Sequence, residues 1–263
     1  MLRSLIFTVV FYLITTIFVV FGLPLLLGPR RWSMAGLRVH ARACLWCLRV
    51  IVGTGIEVRG LEKLPAPPFL IAAKHQSAWD TFALLPLFTD PALVMKAELG
   101  TIPVYGWFAH KFGHIMVKRS RAAVALKTML TDAKARVAEN REVLIFPEGT
   151  RSTPGASPDY KPGFVALYES LQLPCVPVAL NSGLYWPRRK FMRYPGTIIV
   201  EILDVLPPGM PRAAFKAEVE ARIEASSQRL IAEAALVAPA PPVPELTPQE
   251  LSPRYKDRTL KEQ

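Results

Sequence analysis

The sequence predicts an α/β domain: a mixed, largely parallel sheet flanked by helices, preceded by an N-terminal membrane-associated helical segment. Three observations carry this expectation. Apolar runs of strand length recur between residues 56 and 203 and alternate with helical patterns. Residues 4–27, SLIFTVVFYLITTIFVVFGLPLLL, contain no charged side chain. The 263-residue chain is 51% hydrophobic yet carries a formal net charge of +11. That combination suits a membrane surface rich in anionic lipid, or an anionic substrate.

Taken in chain order, the 4–27 run is long enough to cross a hydrocarbon core about 30 Å thick. It is too long for the apolar region of a signal peptide, and LLLGPRRWS offers no small-residue cleavage pattern. It either spans the bilayer or enters one leaflet and turns back at Gly22–Pro24. Arg30, Arg31, Arg38, Arg42 and Arg49 follow it, against Arg3 alone before it. If it spans, that bias places the rest of the chain in the cytoplasm. Residues 33–52 read as a second helix, with Arg38, Arg42 and Arg49 among apolar residues. Such a helix is expected at headgroup level, the alternative being a helix packed on the following domain.

Strands are expected at 56–60, 69–73, 92–96, 114–119, 142–146, 175–180 and 197–203, and helices at 79–88, 103–112, 121–139 and 162–171. A final helix is expected at about 211–236, with Pro211 near its start. Six prolines then fall between Pro239 and Pro253, a composition that predicts an extended or disordered tail. The expected organisation is an anchor and interfacial helix at 1–54, an α/β domain at 55–237 and a proline-rich tail at 238–263.

Composition also excludes classes. An odd, low count of three cysteines argues against a secreted disulfide framework. Cys44 and Cys47 form a CxxC inside an apolar helical stretch, and a zinc site would need two further ligands. His110 and His114 are four apart, but Gly113 is expected to end the helix between them. There is no nucleic-acid-binding module and no basic helix of regular spacing, so nucleic acid is not an expected partner.

The chemistry-bearing residues fall into three stretches. In AAKHQSAWDT, residues 72–81, His75 and Asp80 are five apart. On a regular helix five residues rotate by about 500°, leaving the side chains about 140° apart. They meet only if His75 occupies a strand-to-helix turn and Asp80 the first helical turn. Asp80 then accepts from one imidazole nitrogen and fixes the tautomer, and the other nitrogen can take a proton from a hydroxyl. Ser77 lies too close in sequence for triad geometry and reads as a capping residue. Taken alone, HxxxxD fits a helix-capping histidine beside an ordinary aspartate better.

The second stretch is EVLIFPEGTRS, residues 142–152. Gly149 permits a sharp turn or a close backbone approach. Arg151 offers a planar fork for phosphate, and Glu148 can orient Arg151 or a substrate hydroxyl. The alternative is a surface turn with an incidental salt bridge. Lys161, in YKPGF, adds positive charge near the same mouth. In the third stretch, residues 95–120, Lys96 and Arg119 end two apolar strands, and most of the aromatics between them are expected in the core.

His75–Asp80, FPEGTRS at 146–152 and VPVAL at 176–180 together resemble the motif blocks of the glycerolipid acyltransferases. The nearest likeness is to 1-acyl-sn-glycerol-3-phosphate acyltransferases of bacterial type, in matching order from about residue 56 to 204. The resemblance implies a membrane-associated enzyme that moves an acyl chain from a thioester donor, acyl-CoA or acyl carrier protein, to 1-acyl-sn-glycerol-3-phosphate, giving phosphatidate. It puts the base at His75 and the orienting acid at Asp80. The acceptor-binding blocks fall on Gly113 to Arg119 and on Glu148, Gly149, Thr150 and Arg151, with Lys96 or Arg119 assisting Arg151 on the acceptor phosphate. It implies no cofactor and no metal. The implied partners are the donor, lysophosphatidate and membrane lipids, at a bacterial inner membrane with the catalytic domain on the cytoplasmic side. Another lysophospholipid, an amine-bearing lipid, or non-catalytic lipid binding are the alternatives. Two departures stand out. GHIMVKR has Met116 and Lys118 where an aromatic and an acid are usual, and Lys74 replaces the asparagine that commonly precedes the histidine.

Overall fold

The computed structural model describes residues 1–118, 122–156, 159–247 and 250. Strands β1 (Thr54–Arg59), β2 (Leu70–Ala73), β3 (Ala92–Lys96), β4 (Ile115–Val117), β5 (Val143–Ile145), β6 (Cys175–Leu180) and β7 (Gly196–Ile202) form one sheet in the order β1-β7-β6-β2-β5-β3-β4. From β6 to β4 neighbouring strands are parallel, whereas β7 runs antiparallel to β6 and β1 follows β7. The mixed, largely parallel sheet expected from the sequence is therefore present.

The central strands are apolar throughout because both their faces are covered. Successive side chains alternate between faces. Ile71, Ala73, Leu144, Val176 and Val178 enter one core layer; Leu70, Ala72, Val143, Ile145 and Cys175 enter the other. Helices α1 (Leu2–Phe21) and α2 (Arg30–Cys47) close the first layer, with Phe7, Cys47 and Leu48 among its buried members. Helices α5 (Ala122–Ala138), α6 (Pro162–Leu171) and α8 (Arg212–Ala235) close the second, where Phe164, Tyr168 and Phe215 form an aromatic cluster.

The uncharged N-terminal run does not stay helical to residue 27. Gly22 and Pro24 end α1, a 3₁₀ turn covers Leu23–Leu26, and α2 returns alongside α1. Thr15 Oγ1 meets His40 Nε2 across this hairpin at 3.1 Å, and Ser33 Oγ donates to the Leu25 carbonyl at 2.8 Å. The hairpin lies flat on the domain. Phe7 packs edge-on against Trp186, Ser4 Oγ accepts from the Arg193 N–H at 3.0 Å, and Gly22 lies beside Phe108 at the other end of α1. The outer side of α1, including Leu5, Val9, Tyr12 and Leu13, is exposed. On α2 the exposed side mixes Trp32, Val39 and Trp46 with Arg31 and Arg42.

Other boundaries shift for local reasons. The helix expected at 79–88 is a single turn, α3 (Asp80–Ala83), followed by a 3₁₀ turn at Leu85–Leu87, because Pro86 cannot continue an α-helix. Pro103 and a positive-φ Val104 delay α4 to Tyr105–Lys111. A short α7 (Ser182–Tyr185) follows β6 directly. In the tail, residues 239–247 form no helix or strand, yet Glu250 accepts from Thr153 Oγ1 at 2.6 Å. Residues 248, 249 and 251–263 of the expected tail lie outside the described residues.

His110 and His114 do not act as a pair. Between them Gly113 takes φ 69°, and a Cβ there would lie 2.6 Å from the Arg141 guanidinium. His114 Nδ1 accepts from the Leu93 N–H at 3.2 Å, joining β3 to β4. Burial, reinforced by Arg141, pushes the His114 imidazole down from 6.5 to about 3. Between those values the unfolded chain binds the extra proton, so this group's contribution to stability falls as pH drops from 6.5 towards 3. His114→Asn retains an acceptor without titrating there. In urea unfolding between about pH 7 and pH 4, the variant should lose less stability than the wild type; equal losses would contradict this assignment.

Candidate functional site

His75 lies three residues beyond Ala72, in the turn between β2 and α3, and Asp80 opens α3. Their separation defeats a continuous helix, but the turn brings His75 Nδ1 to 2.9 Å from Asp80 Oδ2. The same oxygen accepts the N–H groups of Gln76 and Ser77, each at 2.8 Å, while Oδ1 accepts from Ser182 Oγ at 2.5 Å. Asp80 is fully enclosed, so these donors replace the water that a buried carboxylate loses. A carboxylate that only accepts leaves Nδ1 as the protonated imidazole nitrogen. Nε2 has no partner among the described residues, and the His75 side chain retains 12% exposure. Phe146 stacks on the ring at 4.0 Å between centroids.

Ser77 is not aimed at the imidazole's work. Its hydroxyl donates to the Trp186 carbonyl at 2.8 Å and accepts from the Trp79 N–H at 3.1 Å, ordering the entry to α3.

The loop after β5 holds the histidine's backbone from both sides. Glu148 Oε1 accepts the His75 N–H at 2.9 Å, and the Ser152 N–H donates to the His75 carbonyl at 2.8 Å. Gly149 takes φ 66°, a left-handed conformation that spares the strain a side chain would bring. The turn leaves Glu148 facing inward, its carboxylate fully buried with Oε1 3.5 Å from Lys74 Nζ. Thr150 faces outward, and the Arg151 side chain makes no hydrogen bond or ion pair with any described residue. The Arg151 carbonyl is held by Arg188 at 2.7 Å.

Lys96 reaches the same edge because β2, β5 and β3 are adjacent and parallel. With strands about 4.8 Å apart, the ends of β2 and β3 are separated by about 10 Å. Lys96 is exposed and pairs in register with Val117 of β4. Arg119 lies outside the described residues. The edge formed by the carboxyl ends of these strands is where open α/β sheets place ligands. Lys74 does not sit with its charge on the imidazole: its buried ammonium contacts both oxygens of Glu224 at 2.7 and 2.8 Å.

Sequence reasoning missed Ser182 and Glu224. Ser182 lies two residues beyond VPVAL, so the end of that strand was a legible place to look. Glu224 lies on α8, 150 residues from Lys74. Its one signal is an acid next to Ile223 on the buried side of an amphipathic helix.

The domain model described as Acyltransferase matches residues 55–181. A 1-acyl-sn-glycerol-3-phosphate acyltransferase of Pseudomonas aeruginosa is 39% identical over 198 residues, covering 73% of this chain and 75% of that protein. The beta form of Homo sapiens is 31% identical over 59% of this chain and 57% of its own length. The yeast protein of the same name, from Saccharomyces cerevisiae, is 32% identical over 63% and 56%. This chain therefore spans little more than half of those two relatives. The crystal structure of the Thermotoga maritima acyltransferase PlsC shares the fold, with a TM-score of 0.73 over 87% of this chain and 96% of that chain at 22% identity.

Proposed function

Because the chain belongs to the acyltransferase family, with 1-acyl-sn-glycerol-3-phosphate acyltransferases among its relatives, we propose that it transfers an acyl group from a thioester donor, acyl-CoA or acyl carrier protein, to 1-acyl-sn-glycerol-3-phosphate, with His75 as general base. The observation that carries this reading is the 2.9 Å contact between His75 Nδ1 and Asp80, which leaves Nε2 as the acceptor. Nε2 takes the proton as the acceptor hydroxyl attacks the thioester carbonyl. Asp80 stabilises the imidazolium that forms, and that imidazolium then protonates the departing thiolate. Arg151, carried by the loop that holds His75, grips the acceptor phosphate, with Lys96 adding positive charge at the same edge and Arg119 proposed as a third cation. Thr150 and Gly149 shape the mouth, and Glu148 fixes the histidine's peptide from below. Phosphate binding remote from the reacting hydroxyl positions that hydroxyl.

The test is an assay of the full-length protein with a labelled acyl thioester and a panel of lysolipids. His75→Ala should lower transfer by about 10²–10⁴-fold, the usual worth of a positioned general base, and Asp80→Asn should be severely impaired because the amide admits the wrong tautomer. Arg151→Lys should cost about 1.5–3 kcal/mol in kcat/KM for lysophosphatidate, the range for a charge-assisted hydrogen bond. An acceptor lacking phosphate should react slowly with wild type and lose little more in Arg151→Lys. Near-normal transfer by His75→Ala would remove the base assignment, and equal losses with both acceptors would remove the phosphate assignment.

The α1–α2 hairpin is proposed to enter one leaflet, with the domain on the cytoplasmic side. Both ends of α1 touch the domain, whereas a spanning helix would carry one end about 30 Å away through the hydrocarbon. The mixed arginine and tryptophan side of α2 suits headgroup level. The single variant Leu2→Cys should react with a membrane-impermeant maleimide only from the domain's side; labelling from the opposite side alone would establish a span.

A further inference from the structure

Beneath the site lies a charge cluster that the proton transfer does not use directly. Lys74 is fully buried, with Nζ 2.7 and 2.8 Å from the two oxygens of Glu224 and 3.5 Å from Glu148 Oε1. The Tyr160 hydroxyl donates to Glu224 Oε1 at 3.0 Å. Glu148 Oε1 accepts the His75 N–H at 2.9 Å, and its buried Oε2 makes no hydrogen bond among the described residues. One ammonium thus serves two carboxylates. One of them comes from α8, and the other holds the backbone of the histidine.

Buried charges persist only when paired, and removing one member leaves the others to rearrange. Here the ammonium has two possible seats. In the first, Glu224 holds it by both oxygens and Glu148 stays on the His75 N–H. In the second, the ammonium moves onto Glu148 and competes with that N–H for the carboxylate. The distances place the protein in the first arrangement. Burial raises the Glu224 carboxyl, with Lys74 as the largest opposing influence, in keeping with a carboxylate that depends on this one cation.

We propose that Glu224 is a positioning residue for acyl transfer: by seating the Lys74 ammonium on α8 it keeps Glu148 on the His75 N–H and holds the imidazole in register with Asp80. The inference rests on His75 being the base. It also accounts for lysine at a position where asparagine is common, since a buried lysine needs the counter-charge that α8 supplies.

The experiment compares single and double variants of the full-length protein in the same transfer assay, with folded fraction measured by thermal unfolding. Glu224→Gln keeps the shape and removes the charge. It should lower kcat roughly 10- to 100-fold with little change in KM, a size typical of coupled buried pairs. Lys74→Asn leaves two buried carboxylates without a cation and should lose at least as much. Combined with Glu224→Gln, it gives Glu148 a neutral amide neighbour, and the double variant should exceed either single variant in kcat. A purely structural role predicts this recovery in thermal stability alone, with kcat per folded protein unchanged in every variant. Wild-type kcat in Glu224→Gln, or a double variant no better than the worse single, overturns the proposal. If Glu224→Gln folds poorly, Tyr160→Phe deletes only one hydroxyl bonded to Glu224. A several-fold fall in kcat is then expected, and unchanged kcat overturns the proposal. Inactive His75→Ala beside unaffected Glu224 and Tyr160 variants would fail this inference alone; an active His75→Ala would fail the base assignment beneath it.

Discussion

The Asp80 carboxylate is buried and takes four donors: the His75 ring, two successive backbone N–H groups and the Ser182 hydroxyl. A buried anion cannot be left short of partners without a cost of several kcal/mol, and satisfying this one dictates much of the surrounding structure. The chain must turn sharply after β2 so that two N–H groups point inward. Helix α3 must begin at residue 80, and the end of β6 must lie close enough for Ser182 to reach across. Once these conditions are met, the imidazole has one nitrogen engaged and the other available.

The parallel sheet supplies the conditions. Strands β6, β2, β5 and β3 run the same way, so each delivers the residues after its carboxyl end to one edge. Ser182, His75, the Glu148–Arg151 turn and Lys96 arrive there from separate parts of the sequence. The loop after β5 has two duties: its inward residues, Glu148 and Ser152, hold the histidine's peptide, while Thr150 and Arg151 are left for the outside. The hairpin of α1 and α2 covers one sheet face and turns an apolar side outward.

Legibility followed range. Strands β3 and β6 and helix α6 match the sequence reading residue for residue, because continuous apolar runs and flanking turn residues act locally. The pairing of His75 with Asp80 was also legible, since its five-residue spacing demands a turn and a strand precedes it. Glu148 was legible as a candidate site residue, but its direction was not. It was read as reaching for Arg151 or a hydroxyl, and the backbone turn at Gly149 sends it inward to the His75 N–H. Lys74 was legible only as a departure from the usual asparagine, and its partner stands on α8, 150 residues later. No periodicity or local spacing announces a pair that forms only when a distant helix packs on the sheet. The early end of α1 was partly visible in Gly22 and Pro24, but the hairpin's attachment through Ser4 and Phe7 depends on Arg193 and Trp186, which a local reading does not connect to the N-terminus.

The central claim is that Asp80 fixes one tautomer of His75. Histidine-selective ¹⁵N NMR of the full-length protein, at a pH where the imidazole is neutral, reads this directly, with His75→Ala used to assign the signal among four histidines. The account predicts a protonated Nδ1 and an unprotonated Nε2 for His75. A neutral His75 ring protonated at Nε2 would contradict it.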